Sequence, residues 1–212
     1  DCDRRININA VSDAFLHEVP GIPQSAVRKI IYRRQDAFGD EGEVLEGAEG
    51  PQRFFSIDEV REIGKINHDD WYGEREKAGV RDLITVWGDA LINVNTASRD
   101  VLEAVPNIDD RIVTAIVEYR AGDDGELFTR DDKSVESLND LAARLELSAE
   151  AVGGLSTHLK TSSNSFIVTG EATRRNGKIH ARVEAVLVFL PPLFRLGPPP
   201  PLQQWREYVS GT

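Results

Sequence analysis

Apolar positions in the first two thirds of the chain recur at helical spacing. Phe15, Leu16 and Val19 follow the i, i+1, i+4 spacing of one buried helical face, and Val101, Leu102 and Val105 repeat it. Pro20 and Pro106 close these segments, because proline lacks the amide and clashes with the preceding turn. A second apolar stripe follows each one: Ala26, Val27, Ile30 and Ile31, then Ile112, Val113, Ile116 and Val117. Arg33, Arg34 and Arg120 fall near the ends of these second helices, where positive charge complements the helix dipole. Each half reads as a helical hairpin.

The two hairpins are copies. Ile6-Asn7-Ile8-Asn9-Ala10-Val11-Ser12 recurs as Ile92-Asn93-Val94-Asn95-Thr96-Ala97-Ser98 at a constant offset of 86, and eight of the 17 positions from Ile6 to Ile22 are identical to their counterparts. Self-similarity of this kind marks a repeated structural unit. Asn and Ser ahead of an apolar stretch suit a helix N-cap, since their side-chain oxygens accept bonds from unpaired amides. Asn9 and Ser12 both qualify in the first copy, Asn95 and Ser98 in the second. Downstream, Phe55-Ser56-Ile57-Asp58-Glu59 and Phe128-Thr129-Arg130-Asp131-Asp132 each offer a Phe, a hydroxyl residue and an acidic helix start, at an offset of 73. That register gives the first copy 86 − 73 = 13 extra residues, within Gln35 to Arg53. Asp36 to Glu49 holds six acidic residues and no basic one, the composition of a solvated loop. Between the copies, Leu83 to Trp87, a Gly88-Asp89 turn and Leu91 to Val94 suggest a short hairpin.

The last third changes period. Phe166 to Arg174 and Lys178 to Leu190 alternate, with Ile179, Ala181, Val183, Ala185, Leu187 and Phe189 on one face. Asn176-Gly177 between them tolerates positive φ, which predicts a β-hairpin. Pro191-Pro192 and Pro198 to Pro201 read as an extended connector, and Gln203 to Val209 as a returning edge strand that carries Trp205. Two or three strands are barely enough for independent stability, so this sheet needs a helical partner.

Composition narrows the function classes. With 25 basic and 36 acidic residues among 212, the net charge is −11, which argues against a chain whose main task is gripping a phosphate backbone. The longest apolar run, Ala185 to Phe194, is far short of the roughly 20 residues that span a bilayer. Cys2 is the single cysteine, so neither an internal disulfide nor a cysteine zinc site is available. There is no Met, even at position 1, as expected of a processed or trimmed fragment from which a leader or anchor has been removed.

Candidate chemistry is sparse. His17, His68, His158 and His180 have no mutual spacing of a metal or catalytic motif, and read as surface or capping residues. The sequence contains no G-x-S-x-G, H-E-x-x-H, P-loop or G-x-G-x-x-G. The acidic groups Asp36 to Glu49, Asp123-Asp124-Gly125-Glu126 and Asp131-Asp132 lack EF-hand spacing and read as solvated loops, with calcium as the alternative. No catalytic, cofactor-binding or metal-ligating residue is assigned, and the chain is expected not to be an enzyme.

Val19-Pro20-Gly21-Ile22-Pro23 resembles the helix-hairpin-helix turn of DNA-binding proteins, including the ComEA family of DNA receptors. In that turn glycines expose amides to a phosphate oxygen. Here Pro23 removes one amide, while Asn107 and Asp109 replace both glycines in the second copy and Asp110 adds negative charge. An extracytoplasmic DNA-receptor module is therefore the alternative reading, and no nucleic acid is expected.

Taken in order, Ile6-Asn7-Ile8-Asn9, the Leu83-Ile84-Thr85-Val86 strand ahead of Ile92 to Ser98, and the closing hairpin from Ser165-Phe166 resemble the GspK family, minor pseudopilins of bacterial type II secretion systems. The resemblance covers nearly the whole chain. It implies an α+β fold: a large helical domain over 1–160, built of two tandem helix-hairpin-helix-like (SAM-like) repeats at 6–66 and 92–147, and a small antiparallel pilin-like β-region over 161–212. It further implies a non-enzymatic subunit at the tip of a periplasmic pseudopilus, contributing to protein export. Its partners would be GspI-like and GspJ-like minor pseudopilins together with secreted substrates. Family members carry an N-terminal hydrophobic helix in the inner membrane, which this sequence lacks. Calcium is the cation the resemblance implies, with no ligands matched to positions here.

Overall fold

The computed structural model describes residues 1–35, 52–75, 77–147, 149–174, 179–189 and 202–211. The acidic stretch Asp36 to Glu49, the Asn176-Gly177 turn and the proline-rich connector lie outside these residues.

The first repeat opens with β1 (Ile6–Asn7), α1 (Asp13–Glu18) and α2 (Gln24–Gln35). It continues through α3 (Ile57–Gly64), α4 (His68–Tyr72), β2 (Gly73–Glu74), β3 (Lys77–Ala78) and α5 (Val80–Leu83), and closes with β4 (Ile84–Thr85). The second runs β5 (Ile92–Asn93), α6 (Arg99–Glu103), α7 (Asp110–Arg120), α8 (Leu138–Arg144), α9 (Ala149–His158) and β6 (Leu159–Lys160). β7 (Ser165–Arg174), β8 (Ile179–Val188) and β9 (Leu202–Gly211) follow as an antiparallel sheet in that order.

Ser12 and Ser98 are the residues that cap α1 and α6, accepting the amides of Phe15 at 3.2 Å and Val101 at 3.3 Å. Asn9 and Asn95 have a different task. Asn9 Oδ1 accepts the Phe54 amide at 2.9 Å, while its Nδ2 donates to the carbonyls of Phe54 and Val86 at 2.9 and 3.0 Å. Asn95 repeats this with the Val135 amide at 2.7 Å and the carbonyls of Val135 and Thr161, both at 2.9 Å. Each asparagine is a clamp that gathers backbone from two distant segments. Asn7 and Asn93 set the clamp, their Oδ1 atoms accepting the Asn9 and Asn95 amides at 3.0 and 2.9 Å.

The clamps correct the register read from sequence. Phe54 matches Val135, an offset of 135 − 54 = 81, so the first copy carries 86 − 81 = 5 extra residues there, not 13. What misled is a local fold-back that occurs twice. Glu59 Oε1 accepts the amides of Phe55 and Ser56 at 2.9 and 3.0 Å, and Asp132 accepts those of Phe128 and Thr129 at 2.8 and 3.3 Å. In the first copy this is the capping box that starts α3. In the second no helix follows; the chain turns, and α8 starts later, capped by Ser137.

The hairpin expected between the copies is also not formed. β4 pairs in parallel with β1 (Ile6↔Ile84, Asn7↔Thr85), and β5 in parallel with β6 (Ile92↔Leu159, Asn93↔Lys160). Each repeat thus closes on its own opening strand. Asn7 Nδ2 holds the Gly88 carbonyl at 2.7 Å, and Asn93 Nδ2 meets Ser163 Oγ at 2.7 Å, which extends the equivalence to the residues just past each closing strand.

A single apolar cluster runs through both repeats, from Ile6 to Leu159, with Trp71, Phe15 and Phe54 among its largest fully buried side chains. Arg34 and Arg120 do more than complement a dipole. Arg34 donates to the carbonyls of Ile8 and Val11 at 3.2 and 2.7 Å, and Arg120 to that of Ala97 at 2.7 Å, tying each second helix to the entry of the first. Burial pulls both guanidinium pKa values down.

Candidate functional site

The hairpin turns keep the helix-hairpin-helix shape, with Gly21 at φ 78° and Asn107 at φ 63°. Glycine enters this left-handed region freely and asparagine tolerates it. Ile22 and Ile108 donate to the carbonyls of Val19 and Val105 at 3.4 and 3.3 Å. A Cβ on Gly21 would lie 2.9 Å from Val80 Cγ2, so this turn packs against α5. At the start of α7, Asp109 Oδ1 accepts the Ile112 amide at 2.9 Å, so a carboxylate already stands where a phosphate oxygen would dock.

The acidic groups of the second repeat serve their own loop. Asp131 Oδ2 accepts the amides of Asp123 at 2.6 Å and Asp124 at 3.1 Å, and its Oδ1 accepts the Thr129 hydroxyl at 2.8 Å. These bonds, the Thr129 hydroxyl first, hold the Asp131 carboxyl well below the usual carboxylate range. Lys133 pairs with Asp123 at 2.6 Å. Among the described residues, no group of three or more His, Cys, Asp or Glu is placed to hold a metal ion. Among the described residues, the carboxylates do not fit a calcium cage. The histidines are dispersed: His17 bonds Gln24, His68 meets Tyr72 at a tilt of 41°, His158 meets Phe15 edge to face at 5.2 Å, and His180 is exposed on the sheet.

Among the described residues, β7 and β8 present a broad apolar face that their own ladder does not use. The register places Phe166, Val168, Gly170 and Ala172 of β7 on the same face as Leu187, Ala185, Val183 and Ala181 of β8. Val168 is 50% exposed, and the four β8 residues are half-buried. Phe189, at 48% exposure, meets Phe166 edge to face at 5.6 Å. The opposite face carries Thr169, Glu171, Arg182 and Glu184, with Arg182 bridging both glutamates. The alternation read from sequence is present, but that opposite face also carries Ile167, 45% exposed, and Val186, the most buried of the described β8 side chains.

A buried ionic knot fixes the base of this sheet, and sequence reading missed it. Asp3 is fully buried: its Oδ2 accepts the amides of Asn164 and Ser165 at 2.9 and 3.3 Å and pairs with Lys160 at 2.9 Å. Lys160 also meets Asp89 at 2.8 Å. The Asp3 carbonyl accepts the Asn93 amide at 2.7 Å, and the Cys2 amide donates to Ser165 at 2.8 Å. Asp3 therefore joins the chain start, the second repeat and β7. Its only signal in the sequence was an Asp beside a lone Cys.

No protein-family profile matches the chain, and no curated protein matches it in sequence. A solved chain from the GspK-GspI-GspJ complex of the enterotoxigenic Escherichia coli type 2 secretion system is similar in structure, with a TM-score of 0.58 over 98% of this chain and 77% of that chain, at 12% identity. The fold is pseudopilin-like. It is α+β, with the helical repeats beside a small antiparallel sheet. No helix among the described residues is long and apolar enough to cross a membrane.

Proposed function

We propose that this chain is the periplasmic body of a GspK-like minor pseudopilin, a non-enzymatic subunit that caps the tip of a type II secretion pseudopilus and so contributes to protein export. The division follows the sequence reading: a helical domain over 1–160 and a pilin-like β-region over 161–212. The observation that carries the proposal is the open apolar face of β7 and β8, on a sheet beside helical repeats that bury their own core. Apolar surface left in water is a docking surface, and small residues such as Gly170, Ala172, Ala181 and Ala185 let another backbone approach closely. The solved neighbour is a chain of a GspK-GspI-GspJ complex, which supports minor-pseudopilin partners in general here. Stem and sheet face those partners, while the helical domain projects beyond them. A bulky projecting domain blocks addition of another subunit above, so growth proceeds from below. In the full-length protein an N-terminal apolar helix anchors the subunit in the inner membrane, and secreted proteins are the cargo.

The test is a pull-down with the GspI-like and GspJ-like subunits of the same secretion system. Wild type should retain both, and Val168→Asp with Val183→Asp should reduce retention to background while circular dichroism stays native. Retention unchanged by the sheet substitutions overturns the proposal. The turn geometry disfavours the DNA-receptor reading, which predicts a DNA mobility shift at about 50 mM salt, where electrostatic binding is strong.

A further inference from the structure

Two surfaces of the helical region are complementary to each other. The connector between α7 and α8 presents Phe128 with 96% of its surface exposed, at φ 71°. A bulky side chain rarely adopts that backbone conformation, and here the loop enforces it. Asp132 Oδ2 accepts the amide of Phe128 itself at 2.8 Å, Asp131 ties down Asp123 and Asp124, and Lys133 closes the loop onto Asp123. The ring is thus held out on a pre-organised mount, which lowers the entropic cost of docking it. Asp123, Asp124, Glu126, Asp131 and Asp132 make the mount acidic.

The second surface lies on the first repeat. α2 carries Arg28, Lys29, Arg33 and Arg34 and no acidic residue, in a chain of net charge −11. Ser25, Arg28, Lys29, Tyr32, Arg33 and Ile63 line an open groove of about 720 Å³ between α2 and α3. Tyr32 is 66% exposed there, while Arg33 is already paired with Glu59 at 2.5 Å and lies over the Phe54 ring, which leaves Arg28 and Lys29 as the cations facing out. The groove is apolar at its floor and cationic at its rim.

We propose that Phe128 of one copy seats in the α2–α3 groove of a second copy, with the acidic mount facing Arg28 and Lys29. The contact is head-to-tail: each copy offers one loop and one groove, so association is open-ended and does not close as a two-fold dimer. It concerns the helical region alone and stands whether or not the tip reading does. One aromatic anchor with a charged rim gives a weak contact, with a dissociation constant on the order of 10–100 µM.

Sedimentation velocity of the purified chain tests this. The weight-average sedimentation coefficient should rise with concentration at about 50 mM NaCl and stay flat at about 500 mM, where surface charge is screened. Phe128→Ala alone should remain monomeric, and so should Arg28→Glu with Lys29→Glu. Mixing these two variants should restore a one-to-one heterodimer that grows no further, since only one loop and one groove remain intact in the pair. Circular dichroism melts confirm that both variants are folded. A wild type that stays monomeric throughout, a mixture that forms no heterodimer, or self-association that survives either substitution overturns the proposal.

Discussion

Asn95→Ala is the sharpest test of how the repeats are held. The substitution removes three hydrogen bonds, one accepted from the Val135 amide and two donated to the Val135 and Thr161 carbonyls. At about 1 kcal/mol net for each, the loss is about 3 kcal/mol, with a further contribution if the stranded backbone groups stay away from water. Removing the Ser98 cap by Ser98→Ala should cost only about 1 kcal/mol. The clamp should therefore outrank the cap, although both belong to the same sequence phrase. Urea unfolding followed by circular dichroism measures both. Asn9→Ala should match Asn95→Ala, because Asn9 makes the same three bonds to Phe54 and Val86. Asn95→Asp should be at least as damaging as Asn95→Ala, since it turns an oxygen toward two carbonyls. A cost for Asn95→Ala below about 1 kcal/mol would refute the clamp as a principal tie between segments.

Gly88→Ala should destabilise the chain by about 2 kcal/mol or more, because the backbone stands at φ 99° and the new Cβ would lie 2.3 Å from Asp3 Oδ1; thermal melts measure it. Cys2 is 2% exposed, and burial pushes its thiol up to about 11, so a thiol-specific chromophore at pH 8 should react far more slowly with native than with urea-unfolded protein. Burial lowers the His158 pKa in the folded state. That depressed value means His158 favours folding above its unfolded value of 6.5 and loses this contribution as pH falls through the folded pKa, so the melting temperature should drop on acidification and His158→Phe should flatten the drop. Glu59 follows the same sign at lower pH: burial raises its pKa, but the Phe55 amide and Arg33 outweigh that and lower it overall, so its contribution is present above 4.5 and lost below.

Much of the helical architecture was legible because it is periodic. The paired stripes of α2 and α7 sit where the apolar spacing placed them, with Ala26, Val27, Ile30, Ile112, Val113 and Ile116 buried. β7 and β8 pair antiparallel, as the alternation predicted. Illegible were contacts with no local signature. The parallel pairings of β1 with β4 and β5 with β6 involve two residues each, too few for any period. The register of α3 against α8 went unseen because the clamps hold backbone atoms, which any side chain can accompany; Phe54 and Val135 share nothing that an alignment would weigh. The Phe-hydroxyl-acid pattern was a true local fold-back in both places, a helix cap only in the first, and not a repeat marker. The site fared worse: alternation disclosed the apolar sheet face, whereas the Asp3–Lys160 pair joins positions 157 residues apart, beyond any spacing rule.

The bond between the Cys2 amide and the Ser165 carbonyl places the entry and the exit of the whole helical region side by side. Tension applied between the chain start and the sheet would run straight across that bond and the Asp3 knot, bypassing some 160 intervening residues. The helical region is mechanically a side branch. It can gain or lose connector length, as the unequal repeats already do, without altering the geometry of the strands.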